Sequence, residues 1–169
     1  MKPLLLLLLP LLAGATDKPE YAVARIPEAM KANAYSVVRR HETVFTVKNP
    51  GEATERVRFV VTVLDPKGED EAKAEVAYDK LRRVNELDGT LYDAVGKEIR
   101  KLRKSDVEDR SAVSAGSLME DTRYRVADFH HTDFPYTVEF TYQLTTRNLM
   151  FYPRWLPHVT DRQSVETPR

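Results

Sequence analysis

One stretch of the sequence carries several side chains that can bind a metal ion: Asp128, His130, His131 and Asp133. Alternate residues on a β-strand share a face, so each face of a strand here would present one aspartate and one histidine. A zinc site needs three or four ligands, and the other two histidines, His41 and His158, lie far away in the sequence. We therefore expect no metal or other cofactor. A metal-dependent enzyme built on these four residues is the least favoured interpretation.

Nucleophilic catalysis has less support still. The chain has no cysteine, and Ser111, Ser114 and Ser117 do not lie in a Gly-x-Ser-x-Gly elbow between a strand and a helix. Glu120 and Asp121 are adjacent, which does not give the spacing that acid–base hydrolysis requires of two carboxylates. The six glycines are scattered and form no phosphate-binding loop. The sequence therefore assigns no catalytic residue and predicts that this chain is not an enzyme.

An aromatic, proline-containing segment near the end of the chain offers a possible interaction surface through Phe151, Tyr152 and Trp155. These rings could stack on a sugar or grip a peptide. They could equally form a plug between this domain and a following one. The plug is the favoured interpretation, because aromatic side chains bury large areas and prolines keep the neighbouring chain extended.

Residues 1–15 have the features of a secretory signal peptide: Lys2, an apolar run over Leu4–Leu12, and small residues at Ala13–Ala15. An apolar run of nine residues, at about 1.5 Å of helical rise each, is too short to cross a hydrocarbon core of about 30 Å. We therefore expect an exported protein, periplasmic or extracellular, with no stable membrane span after cleavage. The formal net charge is zero, which argues against a nucleic-acid partner.

Alternation of apolar and polar side chains predicts several antiparallel strands. The clearest runs from Tyr136 to Thr145, where five apolar residues alternate with five polar ones. Val57 to Val63 alternates in the same way, although Val60 stands among its polar positions. Strands with one dry and one wet face imply a sheet packed on a second layer. The sequence thus predicts a mainly β fold, an antiparallel β-sandwich with one or two short helices.

The expected order along the chain is a short helical lead-in over residues 16–34, a β-sandwich domain over 35–158, and the start of a linker or further strand over 159–169, truncated by the chain end. Ser105 and Glu108 have capping-box spacing, in which both side chains satisfy free amide groups at a helix start. This spacing predicts a short helix near Asp106 to Val113.

Several short motifs, taken in order, resemble one family. They are Ala77–Leu81, Gly89–Asp93, Gly96-Lys97, Ile99–Leu102, Lys104–Val107, Pro135–Phe140 and Phe151–Trp155. Together they resemble the uncharacterised domain found ahead of transglutaminase-like domains in exported bacterial proteins, over roughly Ala34 to Glu166.

That resemblance implies a β-sandwich followed, in typical members, by a transglutaminase-like domain with a Cys, His and Asp triad. This chain has no cysteine, so no catalytic residue is carried over. The expected function is a non-catalytic accessory or interaction domain whose partner is a following transglutaminase-like domain. The alternative is a free-standing module that binds a glycan or a peptide.

Overall fold

The computed structural model describes residues 19–111, 121–147 and 162–166 of the chain. Strands dominate these residues and form two sheets, which confirms the mainly β, sandwich-like fold predicted from the sequence. In chain order the described strands are β1 (Ser36–Asn49), β2 (Glu52–Val63), β3 (Lys73–Tyr78), β4 (Arg82–Tyr92), β5 (Glu98–Lys101), β6 (Val107–Ser111), β7 (Arg123–Asp128), β8 (Tyr136–Arg147) and β9 (Gln163–Val165).

Helical structure in the described ranges is confined to short pieces. They are one turn of α-helix, α1 (Glu28–Lys31), and three 3₁₀ segments, Val23–Arg25, Pro66–Ala72 and Lys104–Asp106. Within these same ranges, no helix has the length and apolar character needed to cross a membrane.

The larger sheet has six strands in the order β5-β4-β8-β2-β1-β9, and the smaller has three in the order β3-β7-β6. All neighbours are antiparallel except β1 and β9, which are parallel. The Asn49-Pro50-Gly51 turn joins β1 to β2, as the sequence predicts. Two long hairpin strands and β8 therefore form the central part of the larger sheet.

The alternation in β2 and β8 explains the core. Val61 lies opposite Val38 of β1 on one side and Val138 of β8 on the other, and all three are buried. Phe140 of β8 and Phe129, which follows β7, pack with ring centroids 5.6 Å apart and join the two sheets. Burying one such side chain contributes about 1.5–3 kcal/mol relative to leaving it in water.

The outer face of the larger sheet, the face turned away from the smaller sheet, departs from the predicted wet surface. Tyr21, Ala22 and Ile26 of the lead-in are buried, and so are Thr62 of β2 and Thr137 of β8, which the sequence placed on a solvated face. The prediction is wrong at this end of the sheet because the chain segment ahead of β1 covers it. The lead-in thus acts as a packing layer.

The helix predicted near Asp106 to Val113 is also wrong over its described part. Lys104–Asp106 form a single 3₁₀ turn, and the chain then enters β6. The carboxylate of Asp106 accepts a hydrogen bond from the backbone N–H of Arg103, 2.8 Å away, which caps the N-terminal end of this turn. The backbone N–H and C=O groups of Val107–Ser111 are paired with β7. This long-range strand pairing, and not the local capping spacing, therefore determines the structure after Asp106.

The strand expected near the end of the chain is present as β9. It pairs with Ser36–Val38 of β1 and so belongs to the larger sheet. Arg162, just before β9, has a positive φ of 57° and lies beside Tyr35, whose N–H donates to the Arg162 carbonyl over 2.8 Å. The signal peptide predicted for residues 1–15 lies outside the described residues.

Candidate functional site

The four candidate metal ligands do not converge. Asp128 ends β7 and accepts a hydrogen bond from the backbone N–H of His130 over 2.7 Å, and the His130 ring lies 3.5 Å from the same carboxylate. His131 turns elsewhere and packs edge-on against Tyr136, with ring centroids 5.0 Å apart. Asp133 is exposed in the following bend. In the described ranges, no group of three or more His, Cys, Asp or Glu side chains could hold a metal ion.

Some of the other candidate residues lie within the part of the chain that the structure describes, and some lie outside it. Phe151, Tyr152 and Trp155 lie outside it, and so do Ser114 and Ser117. Ser111 ends β6, and its hydroxyl accepts a hydrogen bond from Arg123 over 3.1 Å. Asp121 pairs with Lys80 at the surface. Each of these two side chains thus has a basic residue as its partner.

The structure instead shows a cleft of about 340 Å³ between the two sheets, at the side where β1 and β3 lie. The larger sheet supplies His41, Val57, Phe59 and Tyr142 to its lining, and the 3₁₀ segment and β3 supply Asp70, Glu71, Lys73, Ala74 and Glu75. The strand registers explain this arrangement, because β2 places Val57 opposite Tyr142 of β8 and Phe59 opposite His41 of β1. Alternate residues of three neighbouring strands thus form one apolar wall.

Charge is concentrated on the rim of this cleft. Lys73 donates to Asp70 over 2.6 Å and lies 3.7 Å from Asp128. The hydrogen bond from Lys73 holds the pKa of the Asp70 carboxyl below its usual range. Glu71 accepts a hydrogen bond from Gln163 of β9 over 3.1 Å, and Glu75 is exposed. Three carboxylates against one ammonium give the rim a negative character.

The aromatic and imidazole side chains of the cleft are held by burial and ring packing. Burial and, to a smaller extent, the nearby Glu55 carboxylate raise the pKa of Tyr142 to about 12, so this phenol stays neutral at physiological pH. The His41 ring packs edge-on against Phe59, with centroids 5.4 Å apart. Among the described lining residues there is no serine, threonine or cysteine. The arrangement suits binding of an extended, partly apolar segment.

A second polar cluster ties the lead-in to the outer face of the larger sheet. Arg58 donates to Tyr21 over 2.7 Å and to Glu139 over 2.6 Å, and Tyr92 donates to the other oxygen of Glu139 over 3.0 Å. Burial raises the pKa of Tyr21 and of Tyr92, and the Glu139 carboxylate adds to both shifts. Both phenols are therefore neutral, and the cluster holds the lead-in in place.

Sequence reasoning missed both features. The cleft depends on how residues 70–75 lie over the larger sheet, for which local alternation gives no signal. The outer cluster had a partial signal, because Arg58 and Glu139 are opposite charges on the polar faces of two predicted strands. The buried Val60, standing among polar positions of β2, also indicated that this face has a cover.

Comparison with known families places the chain. The model of a domain of unknown function with solved structures, DUF3857, matches residues 49–168, well over half of the chain. The chain belongs to this family. The resemblance noted from the sequence is confirmed as far as this domain of unknown function, and its association with transglutaminase-like domains stays a prediction. The DUF3857 match begins at Asn49, yet β1 is an integral strand between β2 and β9.

The fold is also similar to a crystal structure, that of a candidate protease from Parabacteroides distasonis. The TM-score is 0.58 with 9% sequence identity, and the match covers 68% of this chain and 23% of that one. At this identity the likeness shows the fold alone, and the present chain corresponds to less than a quarter of that protein. Among curated proteins, none matches the sequence.

Proposed function

We propose that this DUF3857 chain is an exported accessory domain, without a catalytic centre of its own, that supports a following transglutaminase-like domain acting on protein or peptide. The observation that carries the proposal is the shared fold. In the candidate protease from Parabacteroides distasonis, the matching part makes up 23% of the chain. There the fold is one portion of a larger protein, as expected of an accessory domain.

The chemistry of the described residues supports the same proposal. The cleft beside β1 contains a neutral phenol and ion-paired or hydrogen-bonded carboxylates. The outer cluster consists of groups that satisfy one another, because Arg58 and Tyr92 both donate to Glu139. A nucleophile activated by a base, or a pair of carboxylates with separated pKa values, would have argued for an enzyme.

The compartment follows from the leader in this proposal. Residues 1–15 direct export, and the mature chain begins near Thr16, the first residue of the lead-in, whose Tyr21, Ala22 and Ile26 are buried. A cysteine-free chain needs no disulfides in the periplasm or outside the cell. Its stability rests on packing and hydrogen bonding.

The test uses the complete reading frame from the source genome. Three proteins are compared for peptide hydrolysis and for incorporation of an amine into peptide glutamine: residues 16–169 alone, the full mature protein, and the full protein lacking residues 16–166. We expect no turnover by the first, turnover by the second, and reduced turnover or weaker substrate binding by the third. Turnover by residues 16–169 alone would overturn the proposal, and so would a reading frame that ends at Arg169.

A second candidate function, peptide binding, is favoured by the cleft itself. An extended peptide could lie beside β1 over the wall formed by Val57, Phe59 and Tyr142, the mode known as strand addition. Selection of a displayed peptide library on residues 16–169 tests it, with Glu75→Lys as the variant and the outer-face Glu86→Lys as its control. Enrichment that only Glu75→Lys abolishes supports peptide binding, and no enrichment rejects it. Glycan binding has no comparable support in the described residues.

A further inference from the structure

We propose that a second groove, between β4 and β6, binds an extended acidic peptide segment that pairs as a strand with β4. The groove has a volume of about 540 Å³ and lies on the β4 and β6 side of the sandwich, away from the cleft. Three features carry the inference: an unpaired strand edge, an apolar floor, and an arginine without an acidic partner. The site is separate from the cleft and does not depend on a following catalytic domain.

The unpaired edge belongs to β4, which β5 covers only in part. β5 pairs with Thr90–Tyr92, and the Gly89 carbonyl accepts a hydrogen bond from the Leu102 N–H over 2.9 Å. Among the described residues, no strand lies beside β4 ahead of Gly89 on this side. Backbone groups of alternate residues in a strand point to the same side, so Leu87 turns its N–H and C=O to this edge. Such an edge is a template for pairing with another chain.

The floor of the groove is apolar. Leu87 of β4, Leu102 and Val107 of β6 line it, and all three are half-buried and pack against the main core. In a strand added beside β4, every second side chain would point to this floor. The floor therefore favours a segment with apolar side chains at alternate positions.

The charged group on the inner wall is Arg125 of β7. Arg125 stands opposite Val76 of β3 and Asp109 of β6, and Val76 is buried, so this face of the smaller sheet is turned towards the larger one. The guanidinium carbon lies 5.6 Å from the centre of the Tyr78 ring. None of the described residues gives Arg125 a hydrogen bond or an ion pair. A half-buried guanidinium with free N–H groups favours a carboxylate as its partner.

The neighbouring carboxylate of Asp109 is already engaged. Tyr78 donates a hydrogen bond to one of its oxygens over 2.5 Å, and Arg123 donates to the other over 2.8 Å. These two contacts turn Asp109 towards the end of the smaller sheet, where β3 and β6 both meet Arg123 through β7. Asp109 therefore leaves Arg125 available to an acidic group from outside.

The rim of the groove adds positive charge. Arg103 and Lys104 are exposed there, whereas the remaining acid, Asp88, stands opposite Thr141 on the outer face. The groove thus has three cationic side chains, of which one is half-buried. An extended segment with an acidic side chain between two apolar ones matches both the charge and the floor. Pairing with the edge of β4 would hold it by the strand-addition mode.

The first test uses a library of displayed heptapeptides, selected on the chain without residues 1–15. The second and sixth positions are valine, leucine, isoleucine or phenylalanine, the fourth is aspartate or asparagine, and the others vary freely. We expect aspartate peptides to be enriched at least several-fold over their asparagine counterparts, and the preference to weaken as salt is added. No enrichment, or equal enrichment of the two, would overturn the proposal.

Four variants locate the bound peptide. Arg125→Gln should abolish the preference for aspartate, and Lys104→Glu should reduce it several-fold. Lys97→Glu in the β4–β5 turn is the matched control for net charge, and Glu75→Lys marks the cleft; both should leave the preference unchanged. Lys104 is exposed, so Lys104→Glu keeps the test decisive if Arg125→Gln fails to fold. A preference that survives both groove variants, or that Glu75→Lys removes, would reject the site.

The second test asks whether the peptide pairs with β4. The most enriched aspartate peptide is added at saturation, and amide hydrogen exchange is followed by NMR. Strand addition predicts at least several-fold slower exchange of the Leu87 amide, because its N–H then donates to the peptide. Unchanged exchange at Leu87, or protection along β1 instead, would overturn the proposed mode of binding.

Discussion

Arg100 of β5 donates a hydrogen bond to Asp106, 2.5 Å away, just before the chain enters β6. The same guanidinium donates to the carbonyl of Phe129 over 2.8 Å and lies 4.9 Å from the centre of its ring. Arg100 lies in β5, an edge strand of the larger sheet, whereas Asp106 precedes β6 and Phe129 follows β7 of the smaller sheet. These contacts therefore link the two sheets at this side of the sandwich. The cleft lies at the opposite side, between β1 and β3.

Removing the charge of Asp106 should weaken this closure. Arg100 and Asp106 are both largely shielded from solvent, with side-chain exposures of 24% and 12%. Asp106→Asn should lower the free energy of unfolding by about 1–3 kcal/mol, the usual range for a hydrogen bond to a charged group. Urea denaturation at neutral pH measures it. Asp88→Asn, at an exposed position of β4, is the control and should change stability by less than about 0.5 kcal/mol. Equal losses in the two variants would contradict the assignment.

The same pair should give the domain an acid-sensitive component. Burial tends to raise the pKa of Asp106, but the hydrogen bonds from Arg100 and from the Arg103 backbone outweigh it and hold the pKa below its usual value. The folded state therefore binds this proton less tightly than the unfolded state does. Its stabilising contribution is present above the unfolded pKa, about 3.9, and is lost as pH falls through the folded pKa. The stability gap between the wild type and Asp106→Asn should be constant near neutrality and should narrow below about pH 4. A gap that stays constant down to about pH 3 would refute this.

How far the sequence predicts the fold is clearest in β2 and β8. Alternation correctly identified the inner face, because each strand buries every second residue against the smaller sheet. The same alternation placed Thr62 and Thr137 in solvent. A period of two shows that the two faces of a strand differ in polarity, but it does not show which part of the chain packs on each face. The cover is the lead-in, more than thirty residues earlier in the chain than Thr62.

The candidate site was harder to predict for a similar reason. Asp128 and His130 do lie close together, but in a turn after the end of β7, where His130 has a positive φ of 49°, and not on one face of a strand as the sequence predicted. His131 turns to Tyr136, and no local rule specifies that contact. The cleft depends on how residues 70–75 lie over the larger sheet. Its residues are spread from His41 to Tyr142, so no short motif contains them.

Gly96 in the β4–β5 hairpin should resist substitution. Its φ of +82° lies in the left-handed region, and a Cβ there would stand 2.7 Å from the Ala22 nitrogen of the lead-in. Gly96→Ala should cost about 1–3 kcal/mol through backbone strain and displacement of the lead-in. Gly51→Ala is the matched control, because the nearest atom to its Cβ would be Asn49 Oδ1 at 3.5 Å, an ordinary contact. Thermal unfolding of both variants decides the matter, and similar melting temperatures would count against a special role for Gly96.

The buried hydroxyls of Thr62 and Thr137 should behave as a coupled pair. Their oxygens lie 2.8 Å apart and both side chains are fully buried. Thr62→Val alone leaves the Thr137 hydroxyl without its partner and should cost about 1–3 kcal/mol. The double variant, with valine at both positions, should lose less than the sum of the single variants, with a coupling energy of about 1 kcal/mol. Strict additivity in the double-mutant cycle would show that the contact contributes nothing specific.

The outer cluster should make the domain sensitive to alkali. Burial raises the pKa of Tyr92, and its hydrogen bond to Glu139 raises it further. The unfolded chain ionises its tyrosines near pH 10, while folded Tyr92 keeps its proton to higher pH. The contribution of Tyr92 to the free energy of unfolding is therefore fully present below about pH 10 and decreases above it. Between about pH 9 and about pH 11, Tyr92→Phe should lose less stability than the wild type, because it has one fewer group to ionise on unfolding. Urea denaturation across this range measures the loss, and tyrosinate absorbance follows the titration. Glu139→Gln provides the control, since removing the carboxylate should bring the Tyr92 titration to lower pH. Parallel stability losses in the wild type and Tyr92→Phe would mean that Tyr92 ionises alike in the folded and unfolded chain.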